Sequence, residues 1–159
     1  MSVRLSLDLP EDAFYIPLTR QFARALLELL QVVPEDIEDV ETIISELVTN
    51  VIRHAQSDDG RFQVVLEFAA ADVVIVVIDA GHGFLFRDVP EIGTLRPDIG
   101  GGERFGGFGL PLLDALSDRL QFRRTDPHGT TVRAEKNLRY LTQTDADNAE
   151  EMNGSSEQT

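Results

Sequence analysis

Two runs of β-forming residues, Phe62 to Phe68 and Val73 to Asp79, are separated only by Ala69, Ala70, Ala71 and Asp72. Parallel neighbours need a crossover of about a dozen residues or more, so a connection this short suits an antiparallel hairpin. The remaining elements must be arranged around that pair. Upstream, residues 3–9 alternate apolar and polar, the period of a half-buried strand. Pro10, Glu11 and Asp12 then open a helical stretch to about Val32, with Phe14, Leu18, Phe22, Leu26 and Leu29 at helical spacing. Pro34, Glu35 and Asp36 start a second helix, with proline in the first turn and acids beside the positive end of the helix dipole. It runs to about Ala55, and Ile37, Val40, Ile43, Ile44, Leu47, Val48 and Val51 form its apolar stripe.

Downstream of the hairpin, residues 80–109 show no sustained periodicity and hold most of the chain's twelve glycines. A loop of this length inside a compact domain is usually functional or disordered. Leu110 to Leu116 reads as a short helix, and Leu120 to Arg124 and Thr130 to Lys136 as two more strands. The order β-α-α-β-β-loop-α-β-β predicts an α+β fold, with helices on one face of a mostly antiparallel sheet. One domain over residues 1–141 is expected, followed by an acidic disordered tail over residues 142–159, which carries acids and no bases.

The chain has no cysteine, which excludes disulfides and thiolate metal sites. Its net charge of -14 repels nucleic acid phosphates, so direct DNA or RNA binding is not expected. The beginning of the chain lacks the apolar core of a secretory signal, and the apolar run Val73 to Ile78 is too short to span a bilayer. A soluble, cytoplasmic protein is expected.

Four short segments carry candidate chemistry. On the second helix, Glu46, Asn50 and His54 are spaced by four and climb one edge beside the apolar stripe. A carboxamide oxygen there can coordinate Mg²⁺, and a carboxylate one turn earlier can accept a proton from an attacking hydroxyl or water. Asp79, Gly81 and Gly83 follow an apolar strand; a buried acid at a strand end can accept a hydrogen bond from an exocyclic amine, while glycines allow close approach to a flat ring. Gly106, Gly107 and Gly109 precede a helix, where backbone N–H groups suit phosphate oxygens. Gly129 and Thr130 enter the last strand. Each segment alone has a commonplace structural reading as helix edge, turn, hinge or strand start. The single lysine, Lys136, lies outside any glycine loop, which excludes a Walker motif, and no parallel β-α-β unit supports a Rossmann reading. His54 reads as a packed residue, and His82 and His128 as turn residues.

Together and in this order, the segments resemble the N, G1 and G2 boxes and the closing Gly-Thr strand of the GHKL superfamily, the histidine kinase-like ATPases. The resemblance covers about residues 3–137 and implies a Bergerat-type ATP-binding fold, a two-layer α/β sandwich. It implies that Asn50 holds Mg²⁺, that Glu46 is the general base or positions water, and that Asp79 receives the adenine amine in a pocket shaped by Gly81 and Gly83. It further implies that Gly107 and Gly109 lie against the phosphates, that Thr130 supports the adenine site, and that Phe84 to Phe105 form a lid from which Arg104 could reach phosphates. Within the superfamily the chain is most similar to stand-alone anti-sigma-factor serine/threonine kinases. It lacks the helical hairpin with a phosphoacceptor histidine and any transducer domain. The implied activity is phosphoryl transfer from Mg-ATP to a serine or threonine of a STAS-type anti-anti-sigma protein, in a switch that also involves a sigma factor. Small members of the family tend to dimerise, so a homodimer is also an expectation. Two other functions stay open on the residues alone: a non-catalytic, ATP-gated module that sequesters a regulator, and a histidine-kinase catalytic domain acting in trans.

Overall fold

The computed structural model describes residues 2–54, 57, 59–79, 109–124 and 129–142. The lid expected at Phe84 to Phe105 and the tail expected to be disordered beyond Thr142 lie outside the described residues. The elements are β1 (Val3–Pro10), α1 (Tyr15–Leu29), α2 (Pro34–His54), β2 (Arg61–Phe68), β3 (Asp72–Asp79), α3 (Gly109–Leu116), β4 (Arg119–Arg124) and β5 (Thr130–Asn137). They build an α+β fold around a five-stranded sheet in the order β1-β2-β3-β5-β4, in which every neighbouring pair is antiparallel.

Alternation along the strands divides the sheet into two faces. Val64, Leu66 and Phe68 of β2, Val73, Ile75 and Val77 of β3, and Val132 and Ala134 of β5 enter the core with the α2 stripe. All seven predicted stripe residues of α2 are at most 4% exposed. Each buried side chain of this kind contributes roughly 1.5–3 kcal/mol relative to exposure, so the α2–sheet contact dominates the cohesion of the fold.

The helix α1 is rolled away from the expected orientation. Its buried residues are Thr19, Ala23 and Leu27, whereas Phe14, Phe22 and Leu29 are 70%, 46% and 81% exposed. Small residues one turn apart, Thr19 and Ala23, let α1 approach its neighbour closely, and apolarity alone does not show that preference. Buried Glu41 of α2 accepts hydrogen bonds from Arg24 of α1, including Nε at 3.1 Å, and lies 3.7 Å from Arg20. This charge pairing holds the same roll. Beyond the end of the helix at Leu29, Gln31 takes a φ of 58°, unusual for a residue with a Cβ; Gln31 N–H donates to the Glu28 carbonyl and Val32 N–H to the Leu27 carbonyl, closing the last turn.

A second ion pair joins the last described segment to the start of α2. Asp36 is 2% exposed and accepts hydrogen bonds from the Arg139 backbone N–H at 2.6 Å and from its guanidinium at 2.8 Å. Burial pushes the Asp36 carboxyl up, but the Arg139 hydrogen bonds and the Arg139 and Lys136 charges outweigh it and hold the carboxyl below its ordinary value. A carboxyl depressed on folding contributes stability above its unfolded pKa, and that contribution fades as pH falls through the folded value. Asp36→Asn is therefore expected to lower stability by roughly 2 kcal/mol at neutral pH, the scale of lost hydrogen bonds to a charged group. The deficit should shrink as pH falls below about 4, the ordinary carboxyl range in which the unfolded chain takes up its proton before the folded one does. Denaturant unfolding at pH 7 and pH 3 measures both, and a deficit that does not change with pH would contradict the assignment.

Candidate functional site

The sheet end that holds the C-terminus of β3 gathers several of the sequence-selected residues. Asp79 and Thr130 are direct register partners across β3 and β5, and each is 2% exposed. On the other side, Asp79 faces Phe62 of β2, also 2% exposed. A carboxylate is rarely shut away unless something nearby stabilises it. The Asp79 Oδ2 atom is sealed from solvent and accepts no hydrogen bond, while the residue as a whole does interact with its surroundings. Phe62 was not singled out from the sequence. Its position became legible only through the hairpin register that sets it against Asp79.

Gly129 enters β5 with φ of 129°, a region that side chains with a Cβ rarely adopt, so glycine is required immediately before Thr130. This backbone requirement gives the Gly-Thr pair its local meaning. Directly before the buried start of β5, Gly129 takes a backbone conformation that only glycine adopts without strain.

The C-terminal part of α2 is directed to the same end. Between α2 and β2, Gly60 N–H donates to the Ser57 carbonyl and Ser57 Oγ accepts from Arg61 N–H at 3.0 Å. Glu11 accepts the Ser57 N–H at 3.1 Å and also its hydroxyl, while Glu11 N–H donates to the Gly60 carbonyl at 2.8 Å. These bonds fasten the exit of α2 to the beginning of β2, one residue before Phe62. Glu46 and Asn50 occupy the last turns of α2 and are half-buried beside fully packed Leu47, Val48 and Val51. Their exposure is that of a helix edge at the margin of the core. A carboxylate and a carboxamide one turn apart thus stand on the helix that closes towards the Asp79 end.

The opening of α3 completes the assembly of backbone. Only Ser117 and Asp118 separate α3 from β4, and Asp118 N–H donates to the Glu135 carbonyl at 2.8 Å. The chain therefore reverses at the Arg119 end of β4, and Gly109, the first residue of α3, lies back towards the Arg124–Thr130 end. The N-terminus of a helix offers unsatisfied N–H groups. Gly81, Gly83, Arg104 and Gly107 lie outside the described residues, as does the His54 side chain. Of the sequence-selected set, the structure brings Asp79 and Thr130 into direct pairing and directs Glu46, Asn50 and Gly109 to the same end of the sheet.

Lys136 has a structural position at the opposite end. Its Nζ lies 2.8 Å from Asp39 of α2 and donates to the Leu116 carbonyl at 3.3 Å, at the negative end of α3. The chain's single lysine is thus committed to holding helices together.

Comparison with known proteins agrees with this arrangement. The model of the histidine kinase-like ATPase domain matches residues 9–136. An anti-sigma F factor of Clostridium novyi is 34% identical over 123 residues, covering 74% of this chain and 82% of that protein. A serine-protein kinase RsbW of Bacillus velezensis is 25% identical over 138 residues, covering 84% of this chain and 85% of that protein. Among solved structures, the RsbU and RsbW domains of a Mycobacterium tuberculosis protein superpose with a TM-score of 0.61 at 22% identity, over 88% of this chain and 35% of that longer one. The last likeness establishes the shared fold. The matched family region runs from the end of β1 into β5 and takes in the Asp79 corner, the α2 edge and the α3 opening, and the chain belongs to the histidine kinase-like ATPase domain family.

Proposed function

We propose that this chain is an ATP-dependent serine/threonine protein kinase and anti-sigma factor. In this reading it phosphorylates a STAS-type anti-anti-sigma protein and is thereby released to bind a sigma factor. The observation that carries the reading is the buried Asp79 carboxylate at the end of β3, in register with Thr130, at the end of the sheet towards which the half-buried Glu46–Asn50 edge of α2 runs. The names of the relatives, anti-sigma F factor and serine-protein kinase, support it.

The residues fit a nucleotide bound with Mg²⁺. A sealed carboxylate oxygen suits an amine donor better than water, and the adjacent threonine hydroxyl can complement a heterocycle edge. Among the described residues no three His, Asp or Glu side chains cluster as a metal cage. Mg²⁺ does not require one, since it commonly takes one or two protein oxygens and completes its shell with water and phosphate. Mg-ATP supplies the transferable phosphoryl group and neutralises its charge.

The protein's own part is positioning and proton transfer. The Asn50 carboxamide oxygen would hold the ion. Glu46, one turn earlier, accepts the proton of the partner's hydroxyl. In this reading Gly107 and Gly109 would offer backbone N–H groups to phosphate oxygens, Arg104 would add a positive charge, and Gly81 and Gly83 would leave room beside the base. Once phosphorylated, the partner carries nearly two extra negative charges against a protein of net charge -14, and the complex weakens. Among the described residues no helix is long and apolar enough to cross a membrane, and the switch operates in the cytoplasm.

We also infer a homodimer. Leu18, Phe22, Ala25 and Leu29 recur at intervals of four, three and four on α1, the spacing of an apolar seam between paired helices, and Phe22 and Leu29 are 46% and 81% exposed. A second copy presenting the same helix can cover this seam symmetrically.

Three outcomes test the proposal. Asp79→Asn should weaken ATP binding about tenfold to a hundredfold in titration calorimetry, the cost of mispairing one buried acceptor. Glu46→Gln should keep ATP affinity within a few-fold while transfer to a partner's serine or threonine falls by about 10²–10⁴, read by phosphosite mapping. An ATP-dependent complex without any phosphate on the partner would instead identify a sequestering module. Phe22→Glu should shift the light-scattering mass from two chains to one while preserving the melting profile; an unchanged mass would remove α1 as the contact.

A further inference from the structure

The two edges of the sheet differ in what they present to a second copy of the chain. Among the described residues, β1 and β4 each pair along one side only. An exposed strand edge templates pairing with another strand unless its charges oppose it. When two identical strands pair antiparallel, a two-fold axis passes through one position, and residues equally far from it on either side face each other. Centred on Gln121, β4 would set Arg119 against Arg123 on both sides of the axis. The middle of β1 reads Arg4-Leu5-Ser6-Leu7-Asp8. Centred on Ser6, it would set Arg4 against Asp8 twice and Leu5 against Leu7 twice. The β4 edge repels its own copy and the β1 edge complements it.

The backbone of β1 agrees with that centre. Glu11 N–H donates to the Gly60 carbonyl at 2.8 Å, one step beyond the Pro10–Arg61 partners. Backbone groups alternate sides along an antiparallel strand, so odd-numbered residues turn theirs to β2, and Arg4, Ser6 and Asp8 turn theirs to the free edge. There the Arg61 guanidinium reaches the Asp8 carbonyl at 2.8 Å. Pro10, which has no N–H, falls in the same outward series. A Ser6 centre makes Arg4–Asp8, Ser6–Ser6 and Asp8–Arg4 the hydrogen-bonded pairs, about six bonds in all. Centres on Leu5 or Leu7 would match each charge with an uncharged residue, and centres on Arg4 or Asp8 would set like charges opposite.

Side chains on both faces fit the same register. On the outer face Arg4 lies 3.2 Å from Glu67, and Asp8 lies 3.0 Å from Arg61. Pairing across the axis would extend Glu67 and Arg4 into Asp8 and Arg61 of the second copy, a row of alternating sign that symmetry repeats. On the helix face, Val3, Leu5 and Leu7 are half-buried at the margin of the core. The helix α1 stands on this side, because α2 crosses β3 and β5 with α3 on its β4 flank, and α1 packs on the other flank. An axis normal to the sheet keeps both helix layers on one face. The exposed Phe22–Leu29 flank of α1 then enlarges a contact that a strand edge alone leaves small.

We propose that two copies join edge to edge through β1, with Ser6 facing Ser6 at the axis, so that the two sheets continue as one. This pairing rests on the homodimer inferred from α1 and gives it a register.

Asp8→Arg and Arg4→Asp should each weaken self-association about tenfold or more in sedimentation equilibrium near 0.1 M salt, because like charges then face each other on both sides of the axis. An equimolar mixture of the two variants should return to within a few-fold of the wild-type association, since every charge then meets its opposite. Mixing does not rescue a strand that is merely misfolded. The chain has no cysteine, so Ser6→Cys should oxidise to a covalent pair of chains. Asp8→Cys, about 13 Å from its counterpart across the axis, should not. Variants that keep a two-chain mass, or a mixture that associates no better than its components, would overturn the β1 contact while a two-chain wild type keeps the homodimer. A wild-type mass of one chain would remove both.

Discussion

The packing of α2 across the central strands sets every other position in this fold. Its stripe from Ile37 to Val51 lies against Val64, Leu66, Ile75, Val77 and Val132, all buried. A helix seated on so many contacts has little freedom to roll. The angular position of each edge residue is then decided by its spacing from the stripe. Glu46 and Asn50 fall one step outside it, deep enough to be held and exposed enough to meet a ligand. A functional pair on this edge inherits its geometry from the core, which is how a rigid scaffold gives precision to polar groups.

Charged residues then fix what apolar contact leaves adjustable. Glu41 ties α1 to α2 through Arg24, Asp36 ties α2 to the segment after β5 through Arg139, and Lys136 ties β5 to α2 and α3. Buried ion pairs contribute little net stability compared with apolar packing, but losing one partner leaves a desolvated charge. They therefore penalise misdocked arrangements more than they reward the correct one. For α1 this matters most, since its apolar residues do not define a single inward face. Glu41 selects the face bearing Thr19, Ala23 and Leu27.

How much was readable in advance follows from the range of each interaction. Strands and helices were legible because periodicity and turn residues are local: the hairpin, the helix opened by Pro34, and the two last strands fall within about two residues of their expected bounds. The roll of α1 was not legible, because Phe14, Phe22 and Leu29 satisfy a helical spacing as well as Ala23 and Leu27 do. The Asp36–Arg139 pair joins residues 103 apart and leaves no local pattern. At the site, the helix edge of Glu46 and Asn50 could be read from the stripe beside it. The direct pairing of Asp79 with Thr130 depends on β5 entering next to β3, which no spacing in the chain announces.

The two ends of the sheet divide the labour between stability and chemistry. At one end, the β2–β3 turn, the end of β5, the start of β4, the start of α2 and the end of α3 are cross-linked by the Leu138–Ala71, Asn137–Asp118, Arg139–Asp36 and Lys136–Asp39 interactions. The other end carries Asp79, Thr130, Gly129, the exit of α2 and the opening of α3. Among the described residues, the Glu11–Ser57–Gly60 turn and the Arg61–Asp8 pair fasten the exit of α2 to β1 and β2 at this end. With the long-range clamps at the first end, a ligand at the second would not have to break them. A buried acid at that second end is tolerable only because the first end already secures the layers that surround it.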